Sequence, residues 1–391
     1  MQLNKEQVNR TLEVSIKEGN YYSFMTGFYQ GYITAFVEFL KATPLQISYI
    51  ATLPGFIASI IQLSTVRINN LIGSRKNSLF ILGTLQSVCI LMATVIAGFY
   101  PTFQTFLIVN IFISIFDQLT VTVWTSLMGD VVPENIRGRF FGKKARINGI
   151  YSTISIILAG LILQKISGYN ESLGFAVIFF IGSISRLFSG LLYLKHYDPK
   201  ISKEKINSSN IFSFIYTNKH TLFTKYIFYS SIYTYINSWG IAVYTILFLR
   251  YFNFSYLQYS FIIFLLPLTS YISNSAWGYW SDYAGNRKVM LSGYCILTVL
   301  PFNWFFCLQF FDGHVAFMLV VINNIIAGIA WSGIHLGSFN YILDTVDQKD
   351  KMVQLTYLKA INGFFIFVGA LTGSFFAEID FIFPNITSMS L

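Results

Sequence analysis

Charge is what this sequence lacks. Asp, Glu, Lys and Arg make up 11% of its 391 residues, against about a quarter in soluble domains. So few charges could not clothe the two or three domains that a soluble chain of this length forms. Cysteine is scarce as well: Cys89, Cys295 and Cys307 each lie in apolar runs, with no CxxC spacing and no His or Cys cluster. Neither a disulfide framework nor a metal site is expected. No P-loop is present to bind a nucleotide, and no cofactor is implied. The net charge of +9 invites a nucleic-acid reading, but the basic residues sit in short loops between apolar segments, not on one face of a soluble module, so nucleic acid is not an expected partner.

What is abundant is hydrophobic surface: 54% of residues are hydrophobic and 18% aromatic, with a mean hydropathy of +0.57. The bilayer core needs about 20 apolar residues of helix. Eleven such runs are predicted, at 20–40, 45–66, 78–100, 104–128, 144–165, 172–194, 226–249, 255–280, 289–311, 314–342 and 354–378. The fold class is therefore an all-α polytopic membrane protein with membrane lipids around it. Residues 1–19 carry Lys5, Glu6, Arg10, Glu13, Lys17 and Glu18 and no small-residue cleavage site, which reads as a cytoplasmic tail and not a signal peptide.

Alternate loops differ in charge. One set holds Arg67, Arg75 and Lys76, then Arg137, Arg139, Lys143, Lys144 and Arg146, then Arg287 and Lys288, then Lys349, Lys351 and Lys359; the other holds Lys41, Lys165 and Arg250. Because basic loops resist translocation, the amino terminus is expected in the cytoplasm of an inner or plasma membrane. A polar stretch rich in Lys, Ser and Asn divides the chain into a six-span bundle at 20–196, a central cytoplasmic loop at 197–222 and a five-span bundle at 223–391. Within it, Asn210 to Tyr216 alternates apolar and polar residues as a short surface helix would.

The two bundles repeat each other. Gln46 and Gln258 are 212 residues apart, Pro54 and Pro267 follow at 213, and Gly73 with Gly285 and Arg75-Lys76 with Arg287-Lys288 return to 212. Asp130 with Asp344, and the Ile-Asn-Gly triplets at 147–149 and 361–363, stand 214 apart. Shared composition does not place a proline, a Gly-x-Arg-Lys and an Asn-Gly in one order, so duplication is expected, as in many transporters.

The run Gly278-Tyr-Trp-Ser-Asp282-Tyr-Ala-Gly285-Asn-Arg287-Lys288 resembles the motif between the second and third helices of each half of the major facilitator superfamily. The first copy keeps Gly73, Arg75 and Lys76 but has Val66 and Asn70 where the family has Gly and Asp. Pro133 to Gly142, with Arg137, Gly138 and Arg139, looks like the fourth-to-fifth loop of bacterial members. The resemblance implies two pseudo-symmetric six-helix bundles and a cytoplasmic gate built from these residues. In it, Asp282 would face the start of the fifth helix near Phe140 to Lys144, and uncharged Asn70 would make the weaker contact on the other side. The bland alternative is that the four basic residues only set topology.

Ionisable groups inside spans are costly and hence candidates. Asp117, followed by Gln118, lies mid-way along the fourth span, which lines the cavity in this family; substrate or proton binding competes there with structural pairing. Arg186 reads as paired or snorkelling, Glu38 beside Lys41 as a solvated rim charge, and His335 as a coupling or a packing residue. Gln30, Trp124, Asn237, Trp239, Asn323, Asn324 and Trp331 are further cavity candidates through their helix assignment. Gly149, Gly160, Gly363, Gly369 and Gly373 suit close approach between the bundles. The fifth span lacks the Gly-Pro pair of the family's drug antiporters. A full member has twelve helices, whereas the thirteen residues from Ile379 to Leu391 cannot cross the membrane, so the twelfth helix is expected to be absent.

These features predict a monomeric transporter, not an enzyme, moving a small solute by alternating access, coupled to an ion gradient, with the proton expected, or to the solute's own gradient. A substrate-sensing protein on the same fold, or an intramembrane enzyme acting on lipid, are the alternatives.

Overall fold

In a computed structural model, the described residues are 5–133, 136–199, 219–310, 313–345 and 351–378. The expected surface helix at Asn210 to Tyr216 and the carboxyl-terminal stretch from Ile379 lie outside them. Every regular element among the described residues is helical. The first half contains α1 (Lys5–Phe28), a 3-10 turn (Gln30–Tyr32), α2 (Ile33–Phe39), α3 (Pro44–Ile61), α4 (Thr65–Ile72), α5 (Arg75–Phe99), α6 (Phe103–Val131), α7 (Arg137–Ser167) and α8 (Glu171–Tyr193). The second contains α9 (Leu222–Asn237), a 3-10 turn (Ser238–Gly240), α10 (Ile241–Ile246), a π-helical turn (Leu247–Tyr251), α11 (Tyr256–Ala284), α12 (Asn286–Phe310), α13 (Gly313–Thr345) and α14 (Lys351–Glu378).

Nine helical segments among the described residues are long and apolar enough to cross a membrane. Of the eleven expected spans, the two outside that set are the first, which is broken between α1 and α2, and α12, a 25-residue helix in its own right. Side chains such as Leu91, Ile108, Phe188 and Phe302 are exposed on these helices, a surface suited to lipid and not to water.

The repeat is visible in the helix ends. At α3, Thr43 Oγ1 accepts from the Gln46 backbone N–H and Gln46 Oε1 from that of Thr43, at 3.2 and 3.0 Å. Ser255 and Gln258 form the same reciprocal cap at α11, at 3.3 and 2.9 Å. Each cap satisfies two of the helix's orphan donors. Both helices carry an internal proline, and α4 and α11 are each followed by a glycine with positive φ, +75° at Gly73 and +87° at Gly285. Side chains rarely adopt that backbone, which is why glycine recurs there. The first and seventh spans are both interrupted by a 3-10 turn containing a glycine, Gly31 and Gly240.

Residues 5–19, expected to be a tail, are instead the opening turns of α1. Thr11, Ser15 and Glu18 are buried there, so this stretch is a packed element. Within the first half α1 packs on α7 and α8, and α5 on α6 and α8; in the second, α13 packs on α11 and α12. The halves meet through α3 against α14 and α7 against α11, two interfaces that the repeat exchanges.

Candidate solute cavity and gates

A cavity of about 840 Å3 lies between the halves, lined from the first by α3, Gln62 and α6 and from the second by α9, α12, α13 and α14. Of the residues singled out in the sequence, Gln118, Trp331 and His335 face it. Trp331 and His335 stack with ring centroids 5.3 Å apart and 23° between planes. Gln62, Tyr233 and Tyr294 line it too, and no sequence signal marks them. Asn362, also in the lining, sits in one of the repeated Ile-Asn-Gly triplets, and that repetition was the available signal.

Asp117 is turned into the first half. Its Oδ1 accepts from Tyr22 Oη at 2.9 Å and from Gln86 Nε2 at 3.0 Å. Gln86 Oε1 in turn accepts from Arg186 Nε at 2.5 Å, and Arg186 Nη1 donates to Ser189 at 3.0 Å. Arg186 is wholly buried, with its guanidinium against the rings of Tyr22 and Tyr193. The amide of Gln86 therefore links a buried cation to a half-buried anion without direct contact.

The other cavity candidates sit elsewhere. Trp124 donates its indole N–H to Glu18 at 3.0 Å, beside Lys144, whose Nζ donates to Glu18 at 2.8 Å and to the Ser15 carbonyl at 2.5 Å. Asn237 and Trp239 line a separate cavity of about 640 Å3 inside the second half, which shares Tyr233 and Trp331 with the central one and also takes in Asn323 and Asn324. Trp239 stacks on Phe376. Gln30 is exposed at its 3-10 turn and lines neither cavity. These outcomes follow from helix rotation, which hydropathy does not encode when lipid and neighbouring helices are equally apolar.

At the end carrying the basic loops, Arg75 is buried and engages its own half. It donates to Asp130 at 2.6 Å, to Asp198 at 3.3 Å and to the Ser126 carbonyl at 3.3 Å, while the Lys76 backbone N–H also reaches Asp198. Its repeat counterpart Arg287 is exposed, as are Lys288, Asn70 and Asp282. Among the described residues Asp282 has no ion-pair partner. Gly278 has open space around it. Arg137, Gly138 and Arg139 form the first turn of α7, and their side chains, with Glu134 and Asn135, lie outside the described residues.

The opposite end is joined. Glu38 is not a solvated rim charge: Arg250 donates to it through Nε at 2.7 Å and Nη2 at 3.1 Å. Tyr256 of the second half donates to Glu171 of the first, and Tyr32 donates to the Ile156 carbonyl at 2.8 Å while meeting Ser260 across the interface. Ser48 donates to the Ala370 carbonyl at 3.0 Å and accepts from Ser374. Gly160 lies against Ser260, and Gly363 against Ser59, both between halves; Gly369 and Gly373 instead approach Tyr235 and Trp239 of α9 and its following turn, and Gly149 faces open space.

Two stretches of the chain, residues 21–249 and 227–384, match the profile of the Major Facilitator Superfamily. The chain belongs to the Major Facilitator Superfamily. The family and fold are those of a multi-pass membrane transporter. Solved structures of similar fold include the nucleoside transporter NupG, at 16% identity and TM-score 0.69, covering 94% of this chain and 92% of that one. A bacterial homologue of the human lysosomal transporter Spinster, inward-facing and unoccupied, aligns at 13% identity and TM-score 0.71, covering 96% and 83%. The inward-open xylose transporter XylE from E. coli aligns at 14% identity and TM-score 0.64, covering 97% and 92%. No curated protein matches the chain by sequence.

Proposed function

We propose that this member of the superfamily carries a small solute by alternating access, in a state closed at the Glu38–Arg250 end and open toward the basic loops. The observation that carries the reading is the distribution of polar contacts around the central cavity. Glu38–Arg250, Tyr256–Glu171 and Ser48–Ala370 join the halves at one end, while Asp282 at the other is exposed and unpaired among the described residues. The basic loops and amino terminus face the cytoplasm of an inner or plasma membrane, because positive loops resist translocation. The protein acts as a monomer, since each half supplies one wall of the cavity. Among the similar folds, one is named for a nucleoside and one for xylose, which supports a small polar solute.

Proton coupling is assigned to Asp117. Its carboxylate adjoins Gln118 of the cavity wall and is held by Tyr22 and Gln86, so protonation there alters the bonds that position α6 against α1 and α5. Closure at the cytoplasmic end brings Asp282 to the positive amino-terminal end of α7. The test uses single cysteines introduced on either side of the cavity and a membrane-impermeant thiol reagent. Asp282→Asn is expected to raise labelling from the basic-loop side and lower it from the other. Unchanged labelling on both sides refutes the closing contact, and simultaneous labelling of both sides by a continuous pore refutes alternating access.

A further inference from the structure

Both halves bring polar and aromatic groups to the central cavity, but the rings are concentrated on one side: the first half contributes the amides of Gln62 and Gln118 and the Phe56 ring, and the second contributes the Asn362 amide and the rings of Tyr233, Tyr294, Trp331 and His335. Among the described residues that line it there is no carboxylate, and the one ammonium, Lys359, is exposed. A charged solute taken from water needs an opposite charge in its site, and a zwitterion needs both. With no carboxylate among the described lining residues to balance a cation or a zwitterion, and its one ammonium left in water, the lining favours an uncharged solute.

The aromatic wall is continuous. Tyr233 lies edge-on to Trp331, with centroids 6.3 Å apart, and its ring centroid is 4.1 Å from that of Tyr294, while Trp331 stacks on His335. Such a wall rewards a planar ring over a flexible or saturated one. Facing it, Gln62 spends its Nε2 on Thr122 at 2.7 Å, whereas its Oε1 is buried with no partner among the described residues, and so is Tyr233 Oη. Buried polar atoms are costly unless paired. These two lining residues thus hold an acceptor and a hydroxyl that a solute bearing N–H or O–H groups satisfies as the halves close.

We infer that the cavity takes an uncharged solute with a planar, nitrogen-bearing ring, the chemistry of a nucleoside or free nucleobase. The ring packs on the wall at Trp331 and its N–H groups donate to Gln62 Oε1. This rests on the transport reading only in taking the central cavity as the solute's path.

The experiment pairs binding with flux on the full chain. Melting temperature of the purified protein is followed against uridine, adenosine, uracil, D-xylose, a neutral dipeptide and citrate, and uptake of radiolabelled uridine is followed in proteoliposomes. Dose-dependent stabilisation is expected from the nucleosides or the base and from none of the others. Trp331→Ala is expected to weaken that binding by about tenfold, from the loss of aromatic contact, with Trp331→Phe retaining most of it. The melting temperature without ligand reports whether each variant is folded. Stabilisation by xylose, dipeptide or citrate and not by nucleosides overturns the solute class and leaves the transport reading standing. Nucleoside binding without flux upholds the class and overturns transport. A folded protein that none of the six stabilises overturns the inference.

Discussion

The guanidinium of Arg250 holds both carboxylate oxygens of Glu38, residues 212 apart and on opposite halves of the molecule. The same guanidinium donates to the Ala42 carbonyl at 3.2 Å. Arg250 thereby fastens the end of the seventh span to the loop after the first. Two parallel, charge-assisted bonds in a partly buried site contribute on the order of 1–3 kcal/mol. That is enough to bias a two-state closure by about tenfold.

Arg250→Ala is expected to move the population toward the state open at this end by about tenfold, corresponding to roughly 1.4 kcal/mol. Thiol labelling of Ser260→Cys from that side is the readout. Exchanging the charges, with Glu38→Arg and Arg250→Glu together, should restore protection. A single variant as protected as the parent would show that the ion pair does not hold the closure.

Gly160 makes a second test of the same interface by shape alone. A β-carbon at this position would overlap Ser260 and crowd the Tyr32 hydroxyl, so Gly160→Ala should prevent full closure. The effect should be relieved by adding Ser260→Gly, which removes both the hydroxyl and the β-carbon in the way. Labelling of Tyr259→Cys, from the side opposite the basic loops, should rise in the single variant and fall back in the double one.

Arg186 is a stability determinant of the first half. Its charge is balanced through Gln86 by Asp117, and removing one member of such a buried arrangement typically costs about 3–5 kcal/mol. Arg186→Leu should therefore lower the melting temperature in detergent sharply. Arg186→Leu combined with Asp117→Asn should recover part of the loss, since the stranded carboxylate is gone. Equal losses in the single and double variants would mean that the two charges are not coupled.

His196 gives the first half an acid sensitivity. It lies just past α8, is 3% exposed, and neither ring nitrogen has a partner among the described residues. Burial pushes its pKa down from 6.5 to about 4, with Lys144 acting in the same direction and Glu18 and Asp198 opposing. The folded state keeps the ring neutral where the unfolded chain would protonate it. Stability from this source is complete above the ordinary value of 6.5 and is lost as pH falls toward 4. The full displacement corresponds to about 3 kcal/mol. His196→Phe, which retains the contact with the Tyr193 ring, should flatten the fall in melting temperature between neutral and mildly acidic pH. An equally steep fall in the variant would place the sensitivity elsewhere.

Much of the architecture was legible before any coordinates. Runs of apolar residues located the helices, because a bilayer demands length and hydrophobicity from every crossing segment. Local chemistry set their ends: Thr43 with Gln46 and Ser255 with Gln258 close capping boxes, and Gly73 and Gly285 take positive φ. Since these signals recur in the same order, the duplication could be read from residue numbers alone. The opening turns of α1 were less legible. Their charged residues resemble a solvated tail, yet Glu18 is buried where Lys144 and Trp124 reach it from α7 and α6.

Which polar side chains face the cavity was decided only by tertiary packing. Asp117 and Gln118 are neighbours in sequence, but successive residues of a helix point about 100° apart, so Gln118 faces the central cavity and Asp117 faces Tyr22 and Gln86. Glu38 and Arg250 likewise have nothing local to pair them; they meet because α3 lies on α14 and α7 on α11. In a soluble protein, water marks one face of each helix and the sequence records it. In a membrane protein, lipid and protein neighbours are both apolar, so the sequence fixes where each helix crosses, and packing between the halves fixes which way it turns.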